Sequence, residues 1–581
     1  MKRYVIDLFM FPYQQSFRAS IEHLAQDVLK ALGAAVEVKA LLVGARRPGS
    51  KNSHSVCVEP EKGRWKLLLF DGLLEAVEEI FATHPLQSMW YGDEPSNSDK
   101  PKRMRQDSAT TAVRNAIHSY DIEHGVRSFC GASRLVGDYY VVPVVQVPES
   151  LFHQFPQLSE RPPRYEHGPT GYRSLIDAAL ATVLKAATSE LERPEPGRFM
   201  FGETRRPDEI VRIAANRFLD TPGLAISPRY VSTDLFTRLN LISSLLYEGA
   251  KGIGRLLLAN PENPSVEYLL RFRERIPFRE PRWARKVLQL ASPDVVLVAD
   301  SEYVYGLGRL LPSYSPSEQD VFMVEFLDHY TWELRCGDLP LLRCDYGSPS
   351  LPSEALEKDT LISSLARLFP QSTAADQEQI WQLFIAAARQ DGGSMIVVAD
   401  DAEAEADRLA RQGTGIAPVK LTVDLLRQVS SIDGTILLDP HAACHAIGVI
   451  LDGPANDQCT PSRGSRFNSA VRYARSGLAR RLAIVVSDDR TIDVFPNLRP
   501  RVSRKQVDSH INEFSASDVD SYHSSMNWLD KRRFYLDALQ CAKINVHLGN
   551  LEKVPREVGE IRYLVKPFEV DPEFDSSYLT E

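Results

Sequence analysis

The chain of 581 residues is several times longer than a typical single domain, so we expect about three domains, each with its own hydrophobic core. Its composition of 43% hydrophobic and 25% charged residues is that of an ordinary globular protein, which excludes disordered, collagen-like and coiled-coil classes. A net charge of −9 argues against nucleic acid as the main partner, because a general nucleic-acid binder needs a net basic surface.

Cysteine usage and apolar runs bear on the compartment. Seven cysteines, an odd number without a Cys-x-x-Cys pair, favour neither a disulfide framework nor a zinc ribbon, and they fit a reducing cytosol. The first residues lack a signal-peptide pattern, because Asp7 interrupts the apolar run. No stretch approaches about eighteen consecutive apolar residues, so we expect no membrane span and a cytoplasmic protein.

The first predicted domain, residues 1–195, has α/β character. Residues 3–11 alternate as in a strand, residues 15–32 have the apolar period of a helix, and residues 36–43 again indicate a strand. The polar stretch 96–107 has the composition of a loop. Pro-rich segments then lead to the predicted boundary.

The second predicted domain, residues 196–350, is mixed α+β. Helical periodicity covers about 205–250 and returns at 282–290, and successive strands are predicted at 295–299, 303–307, 322–326 and 332–336. A helical connector over 351–392 follows, with predicted helices at 353–369 and 374–391.

The third predicted domain, residues 393–505, is a compact α/β unit. Strands are predicted at 395–399, 436–438, 446–451, 482–487 and 492–495, with helices at 401–412, 422–429 and 469–475. The remaining residues, 506–581, are predicted to hold one amphipathic helix from about 518 to 541 and a loosely ordered tail.

Three short motifs in the third domain have the chemistry of a nucleotide site. They are Asp433-Gly434-Thr435, then Ser465-Arg466-Phe467-Asn468, then Ser487-Asp488-Asp489. A carboxylate beside a glycine, an arginine beside hydroxyls at a helix start and acidic residues after a strand can together hold a triphosphate and a metal ion. Asp-Gly alone would indicate only a turn, so the prediction depends on the whole set.

In this order and spacing the motifs resemble the diadenylate cyclase family, whose members condense two ATP molecules into cyclic di-AMP. The resemblance covers roughly residues 393–500. The family pattern is Asp-Gly-Ala, then Thr-Arg-His-Arg, then a Ser-Glu-Glu turn or similar. The fold that it implies is a C-terminal α/β cyclase domain with a mixed central sheet flanked by helices, preceded by α/β and mixed α+β sensor domains.

The resemblance implies a role for each motif residue. Asp433 orients the attacking 3′-hydroxyl and eases its deprotonation, and Gly434 lets the backbone approach the ribose. Arg466 donates to phosphate, together with the amides at the helix start. Leu451 contacts the adenine, and further nucleotide contacts come from Thr435, Arg463, Ser465, Asn468, Ser469 and Ser487. Mg²⁺ or Mn²⁺ is held by Asp433, Asp488 and Asp489.

One motif departs from the family pattern. Phe467-Asn468 stands where the family has His-Arg, which removes an imidazole and a cation from the phosphate clamp. Arg466-Phe-Asn-Ser469 is similar to an Arg-aromatic-Asn-Ser variant of multidomain relatives, in which the Asn468 amide donates in place of the second arginine.

The family's site is shared between two subunits. Each cyclase domain holds one ATP, and two domains meet face to face, so the resemblance implies self-association and regulation by the sensor domains. Two alternatives remain: a catalytically inactive sensor of a nucleotide or cyclic dinucleotide, and an oligomerisation module without ligand.

Three further segments have two interpretations each. The basic run Lys100–Arg105 predicts a solvated loop, with an anion-binding patch as the alternative. Gly249–Gly254 predicts a turn that ends a helix rather than a phosphate loop, because no strand precedes it. Tyr305–Gly308 predicts a strand bend, with a ligand pocket of the second domain as the alternative.

Two histidines and two cysteines crowd one neighbourhood and raise the question of zinc. They are His441, Cys444, His445 and Cys459. On the predicted strand, His441 and His445 would share one face and Cys444 the other, and the spacing lacks the pattern of helical zinc ligands. We therefore expect no zinc site here.

Overall fold

The structure, a computed structural model, forms two compact units, Met1–Ser353 and Glu354–Glu581. The residues that it describes are 9–34, 36–60, 67–155, 157–160, 171–198, 206–227, 234–249, 251–292, 294–352, 358–388, 390, 393–456, 459–460, 464–477, 479–487, 492–519, 521–555 and 565–580. Within these ranges, no helix has the length and apolar composition required to cross a bilayer.

The first unit begins with an antiparallel sheet between two helical layers. Its elements are α1 (Gln14–Ala31), β1 (Lys39–Arg46), β2 (Val56–Glu59), α2 (Leu73–Ala82), α3 (Glu94–His124), β3 (Val126–Cys130), β4 (Arg134–Val136), β5 (Tyr139–Pro148), α4 (Ser150–Gln154) and α5 (Leu175–Glu190). The strand order is β2-β1-β5-β3, and β4 also pairs with β5. Because side chains alternate along β1, Ala40 and Leu42 join the cluster of α1 and α5, whereas Leu41 and Val43 join that of α2 and α3.

A second sheet follows in the same unit. Its elements are α6 (Pro207–Phe218), α7 (Asp220–Ile226), α8 (Leu235–Ser244), β6 (Gly254–Leu258), β7 (Val266–Pro277), α9 (Pro281–Leu288), β8 (Val296–Ala299), β9 (Tyr303–Leu310), β10 (Phe322–Asp328), β11 (Thr331–Cys336), β12 (Leu339–Asp345) and β13 (Ser348–Ser350). The strand order is β13-β12-β11-β10-β6-β8-β9-β7, and the β6–β8 pair is parallel.

Both sheets of the first unit contribute to one hydrophobic cluster. It includes Leu42 of β1, Phe218 of α6 and Trp332 of β11. The indole N–H of the fully buried Trp332 donates to Asn240 Oδ1 at 2.8 Å, so its polar atom is satisfied. Residues on both sides of the boundary predicted at 195 belong to this cluster, and the boundary itself stays a prediction.

The second unit is built on a mixed sheet. Its elements are α10 (Lys358–Leu368), α11 (Ala374–Ala388), β14 (Ser394–Ala399), α12 (Ala402–Arg408), β15 (Thr414–Lys420), α13 (Val423–Val429), β16 (Thr435–Leu438), β17 (Ala443–Val449), α14 (Ser465–Ala474), β18 (Arg481–Val486), β19 (Ile492–Phe495), β20 (Val502–Ser503), α15 (Arg504–Ala516), α16 (His523–Asp530), α17 (Ala538–Lys553) and β21 (Leu579–Thr580). The strand order is β15-β17-β16-β14-β18-β19, with β14 and β16 parallel.

Helices cover both faces of this sheet, and one of the two layers is formed by α10 and α11, which were predicted as a connector before the third domain. Ile396 and Val398 of β14 pack with α10 and α11 on one face, while Met395 and Val397 pack with α12 and α14 on the other. The strand is buried on both sides, which explains its continuous apolar run. The predicted α/β fold class with a mixed central sheet is confirmed.

Two predictions of local structure were wrong for an identifiable reason. The stretch 96–107, predicted as a loop, lies within α3, where Asp93 accepts a hydrogen bond from the Ser96 N–H at 2.9 Å and caps the helix. Buried residues from Met104 to Ile117 recur at helical spacing and hold this polar helix against the sheet. The cap and the buried face override the loop-like composition.

The helix predicted over 518–541 was also wrong, because that range is broken into α16, a short 3-10 turn at Arg533–Tyr535 and the start of α17. Asp537 starts α17 with a capping box that involves Gln540, which fixes a new helix start inside the amphipathic pattern. The predicted loose tail needs correction over 565–580, where Phe568 and Tyr578 are buried and Leu579 pairs with Val502.

The remaining expectations of the first unit are resolved by the strands around them. Residues 3–8 of the first predicted strand lie outside the described residues, and residues 9–11 form no strand. Tyr305–Gly308 lies inside β9, where a Cβ on Gly306 would come within 2.1 Å of the Leu270 carbonyl oxygen. The glycine therefore serves the close approach of β7. Gly249 has a φ of 79° in the segment between α8 and β6.

Candidate functional site

The loop before β16 and the following β17 meet at two glycines. Gly434 has a φ of 127°, and a Cβ on it would lie 2.4 Å from the carbonyl carbon of Gly448. Gly448 itself has a φ of 61°, and a Cβ there would lie 2.8 Å from the Ile432 side chain. Only glycine fits at Gly434, because backbone atoms of the neighbouring strand cannot move aside as a side chain would.

Asp433, next to this contact, meets Arg466 at the first turn of α14. Arg466 Nη2 lies 2.9 Å from Asp433 Oδ1, although the residues are 33 positions apart. The Asp433 side chain is 89% exposed and that of Arg466 is 32% exposed. The structure thus brings two of the predicted catalytic residues together at an open surface.

The start of α14 is suited to an anion. Ser465, which is exposed, is the first residue of the helix, and Gly464 precedes it without a capping side chain among the described residues. No acidic residue occupies the first turn. Amide N–H groups at a helix start carry partial positive charge, so this end complements the Arg466 guanidinium beside it.

The two residues that depart from the family pattern have structural contacts. The Phe467 ring packs edge-on against Phe495 of β19 with centroids 5.1 Å apart. Asn468 Oδ1 accepts from the Thr460 N–H at 3.0 Å, and its Nδ2 donates to the Thr460 carbonyl at 3.0 Å. These two side chains anchor α14 to β19 and to the segment at Thr460.

The other predicted nucleotide residues lie at different depths. Thr435 is fully buried, with its Oγ1 lacking a partner in the described part of the chain. Leu451 is buried in the cluster of α12 and α14. Ser469 is half-buried, with its Oγ 3.4 Å from Arg472 Nη2, and Ser487 is half-buried directly after β18.

Three predicted site residues, Arg463, Asp488 and Asp489, lie outside the described residues. Within the described residues, no group of three or more His, Cys, Asp or Glu side chains could hold a metal ion. Of the three predicted metal ligands, Asp433 lies within the described residues, and its side chain is open to solvent. One carboxylate together with phosphate oxygens is a donor set that Mg²⁺ accepts, so the described residues fit a metal ion that arrives with the nucleotide.

A buried charge network behind the site was missed from the sequence. Arg481 lies 2.6 Å from Asp401 and 3.3 Å from Glu405, and Glu405 accepts a hydrogen bond from the Tyr473 hydroxyl at 2.8 Å. Arg408, which is partly exposed, also pairs with Glu405 at 2.7 Å. Its hydrogen bond is the largest cause that lowers the pKa of Glu405. The network fixes the end of α14 opposite to Arg466.

The sequence held only part of this signal. Glu405 and Arg408 have the helical i, i+3 spacing of an ion pair, which was available from the pattern alone. Arg408 also holds Asp452 with two hydrogen bonds, at 2.7 and 2.8 Å, but the 44 positions between them conceal that contact. Two exposed side chains beside the site, Ile432 and Ile450, were likewise missed.

The histidines and cysteines of the zinc alternative are engaged separately. His441 Nδ1 lies 3.2 Å from Asp376 and His445 Nε2 lies 3.0 Å from Asp439. Cys444 is buried, and this burial raises the pKa of its thiol to about 12. His441 precedes β17, so the expected sharing of one strand face with His445 was wrong. Each histidine has its own carboxylate.

Comparisons with known proteins match three segments of the chain. Residues 384–498 match the family described as "DisA bacterial checkpoint controller nucleotide-binding". Residues 10–219 match the "Probable sensor domain DACNG", and residues 233–338 match the "Probable sensor domain DACNH". The first of these matches contains the Asp433–Arg466 pair.

Two solved structures are similar to the chain. One is a cysteine double mutant of DacA from Staphylococcus aureus, with 18% identity, 24% of this chain and 97% of that chain covered, and a TM-score of 0.19. The other is a hypothetical membrane spanning protein from Bacillus cereus, with 19% identity, 23% of this chain and 65% of that chain covered, and a TM-score of 0.19. No curated protein matches the chain.

Proposed function

Because residues 384–498 belong to the diadenylate cyclase domain family and follow two sensor-domain matches, we propose that the chain condenses two ATP molecules into cyclic di-AMP and two pyrophosphates. The observation that carries this proposal is the 2.9 Å contact between Asp433 and Arg466 at an open surface. This contact supports the proposal because, in the roles we propose, Asp433 accepts the hydroxyl proton and the neighbouring Arg466 binds the phosphate that is attacked.

In the proposed reaction, the 3′-hydroxyl oxygen of one ATP attacks the α-phosphorus of the other. The O–P bond to pyrophosphate breaks, and the hydroxyl proton passes to the Asp433 carboxylate. A second such step closes the ring and releases the second pyrophosphate. A carboxylate in this role contributes about 10²–10⁴-fold to the rate.

Arg466 and the start of α14 support the same step from the phosphate side. Negative charge grows on the phosphate oxygens and on the leaving pyrophosphate, so fixed donors that face them stabilise the transition state more than the ground state. Asp433 and the ATP phosphates would hold Mg²⁺ or Mn²⁺, which neutralises phosphate charge when bound. Arg463, Asp488 and Asp489 remain predicted ligands of the same groups.

The exposure of Asp433 supports a site completed by a second copy. A lone domain leaves the Asp433 carboxylate 89% exposed, whereas phosphoryl transfer needs a site from which water is excluded. Two copies whose cyclase domains face each other would bury both carboxylates and place the two nucleotides in opposite orientations. Self-association then becomes the property through which the sensor domains regulate turnover.

A second candidate function is nucleotide binding without turnover. The contacts of Phe467 with Phe495 and of Asn468 with Thr460 favour it, because these positions serve packing where the family pattern has a histidine and an arginine. Such a protein would keep the Arg466 donor and lose part of the charge stabilisation in the transition state.

The proposed function is tested by incubating the purified chain with ATP and Mn²⁺ or Mg²⁺ and resolving products by liquid chromatography and mass spectrometry. We expect cyclic di-AMP, and a rate about 10²–10⁴-fold lower for Asp433→Asn. The matched control is Asp424→Asn, whose carboxylate is 87% exposed and lies 3.1 Å from Arg427. This control should keep the wild-type rate.

The alternatives have separate outcomes. ATP that stabilises the protein without giving product favours the second candidate, since a ligand at a hundred times its dissociation constant adds about 2.7 kcal/mol to the free energy of unfolding. If ATP gives no product and does not stabilise the protein, the domain is best explained as an oligomerisation module. Wild-type turnover by Asp433→Asn would contradict the role of Asp433.

A further inference from the structure

The domain matched by the first sensor family contains a cavity of about 110 Å³. It lies between the end of β1, the turn at 47–50, α2, α3 and β5, and its lining includes Arg46, Arg47 and Arg105. Arg105 belongs to the basic run for which an anion-binding patch was the alternative prediction. The fold brings that run, now part of a helix, against two arginines that are about sixty residues earlier in the chain.

The three guanidinium groups outnumber the acidic groups around them. Glu78 is the carboxylate in the lining and pairs with Arg105, and Arg47 pairs with Asp138 at 2.9 Å outside the lining. Arg46 bonds to the Asn52 carbonyl and pairs with no carboxylate in the described part of the chain. One positive charge therefore remains even when both carboxylates are counted.

Arg105 is held in place before any ligand arrives. Its guanidinium lies over the Phe81 ring at 3.9 Å from the centroid, which fixes the plane of the fork. The Glu78 side chain opposite is 56% exposed, so it can leave Arg105 without losing buried contacts. An incoming anion can take the place of Glu78 on a guanidinium that is already oriented.

The rest of the lining adds a polar donor and an apolar floor. Leu74 and Val77 of α2 and Tyr140 of β5 complete it. Burial raises the pKa of Tyr140, and Arg105 and Arg47 oppose that shift, so the phenol is protonated at neutral pH and lies close to both guanidinium groups. The floor keeps part of the ligand surface away from water and strengthens the charge interactions.

The size of the cavity restricts the ligand. Pockets that enclose drug-sized molecules measure about 300–1,000 Å³, so a space of about 110 Å³ is too small to enclose a whole nucleotide or cyclic dinucleotide. A compact group with several acceptor oxygens fits, and arginine forks match the geometry of phosphate oxygens.

We propose that this cavity binds a phosphate group, as free inorganic phosphate or as the end group of a small phosphate ester. Arg46, Arg47 and Arg105 supply the charge, and Glu78 is the group that the phosphate displaces. The proposal concerns binding in the sensor domain and holds whether or not the cyclase domain turns ATP over.

Calorimetric titration of the full chain with sodium phosphate tests the proposal, with sodium chloride of equal ionic strength as the reference. Arg105→Gln should weaken binding at least tenfold, because it removes charge-assisted hydrogen bonds. Glu78→Gln should tighten binding several-fold, an effect that misfolding cannot produce. The control is Arg198→Gln, an exposed arginine of the same unit that pairs with Glu195, which should bind as wild type.

A second titration with glycerol phosphate distinguishes the two sources of the group. Tighter binding of glycerol phosphate assigns the site to an ester, and tighter binding of inorganic phosphate assigns it to the free ion. If neither inorganic phosphate nor glycerol phosphate gives a heat of binding, the proposal is overturned. Binding that is unchanged in both Arg105→Gln and Glu78→Gln overturns it as well, since the phosphate would then lie elsewhere.

Discussion

Replacing Gly434 with alanine should destabilise the second unit through the backbone alone. A φ of 127° is disfavoured for a residue with a Cβ, at a cost of about 1–2 kcal/mol. The added Cβ would meet the carbonyl carbon, oxygen and Cα of Gly448 at 2.4, 2.7 and 2.8 Å. Relieving that overlap moves a strand, for about 1–3 kcal/mol more. We expect a loss of roughly 2–5 kcal/mol in the free energy of unfolding.

The same shift acts on the site, because Asp433 is the preceding residue. A displacement on the order of 1 Å at a reacting group costs about 10²-fold in rate. Urea unfolding followed by circular dichroism measures the loss of stability. The cyclic di-AMP assay, run at low temperature without urea, measures the loss of rate. At that temperature most of the variant stays folded, so the lost rate reports geometry.

The matched control for this substitution is Gly415→Ala. Gly415 lies in β15 of the same sheet, is exposed, and has no atom within 4 Å of an added Cβ. We expect a change of less than about 1 kcal/mol in stability and the wild-type rate. If Gly434→Ala unfolded at the same urea concentration as Gly415→Ala, the close approach of the two glycines would not be a constraint and the reasoning would be refuted.

Three further changes test the surroundings of the site. Glu405→Gln should lower the free energy of unfolding by about 3 kcal/mol, measured in urea, because the buried Arg481 would lose its buried carboxylate partner and keep only the partly exposed Asp401. The hydrogen bond from Lys420 is the largest cause that holds the pKa of Asp376 below its ordinary 3.8. The stability that this gives is therefore present above about pH 4 and is lost as the pH falls. Asp376→Asn should remove this loss and flatten the acid side of a curve of stability against pH. The double change Phe467→His with Asn468→Arg restores the family's phosphate clamp; a gain of cyclic di-AMP from an inert parent would favour nucleotide binding without turnover, whereas we expect the parent to give product already.

The central strands could be predicted because a strand that is buried on both faces has a continuous apolar sequence. β14, β16 and β18 are short apolar runs that are buried along their whole length, and all three were expected. β15 was not expected, because Thr414–Lys420 is an exposed edge strand whose register shifts against β17, so it has no apolar alternation.

For the site, the sequence predicted the main pair but not its support. The resemblance named Asp433 and Arg466, and the fold places them in contact. It could not show that Arg481 and Glu405 meet behind α14, since that contact depends on how β18 packs on α12. Gly434 was predicted for close approach to a ribose, and the structure adds a second requirement, the contact with Gly448.

The departures at Phe467 and Asn468 acquire a different meaning once the contacts of α14 are considered together. Phe467 fixes the first turn against β19, Asn468 binds the backbone of Thr460, and Tyr473 ties the last turn to Glu405. Both ends of the helix are thus held before a nucleotide binds. Because a donor that is already oriented needs no reorganisation in the transition state, a fixed Arg466 offsets part of the charge lost with the family's histidine and second arginine. For this reason we expect turnover, at a reduced rate, rather than binding alone.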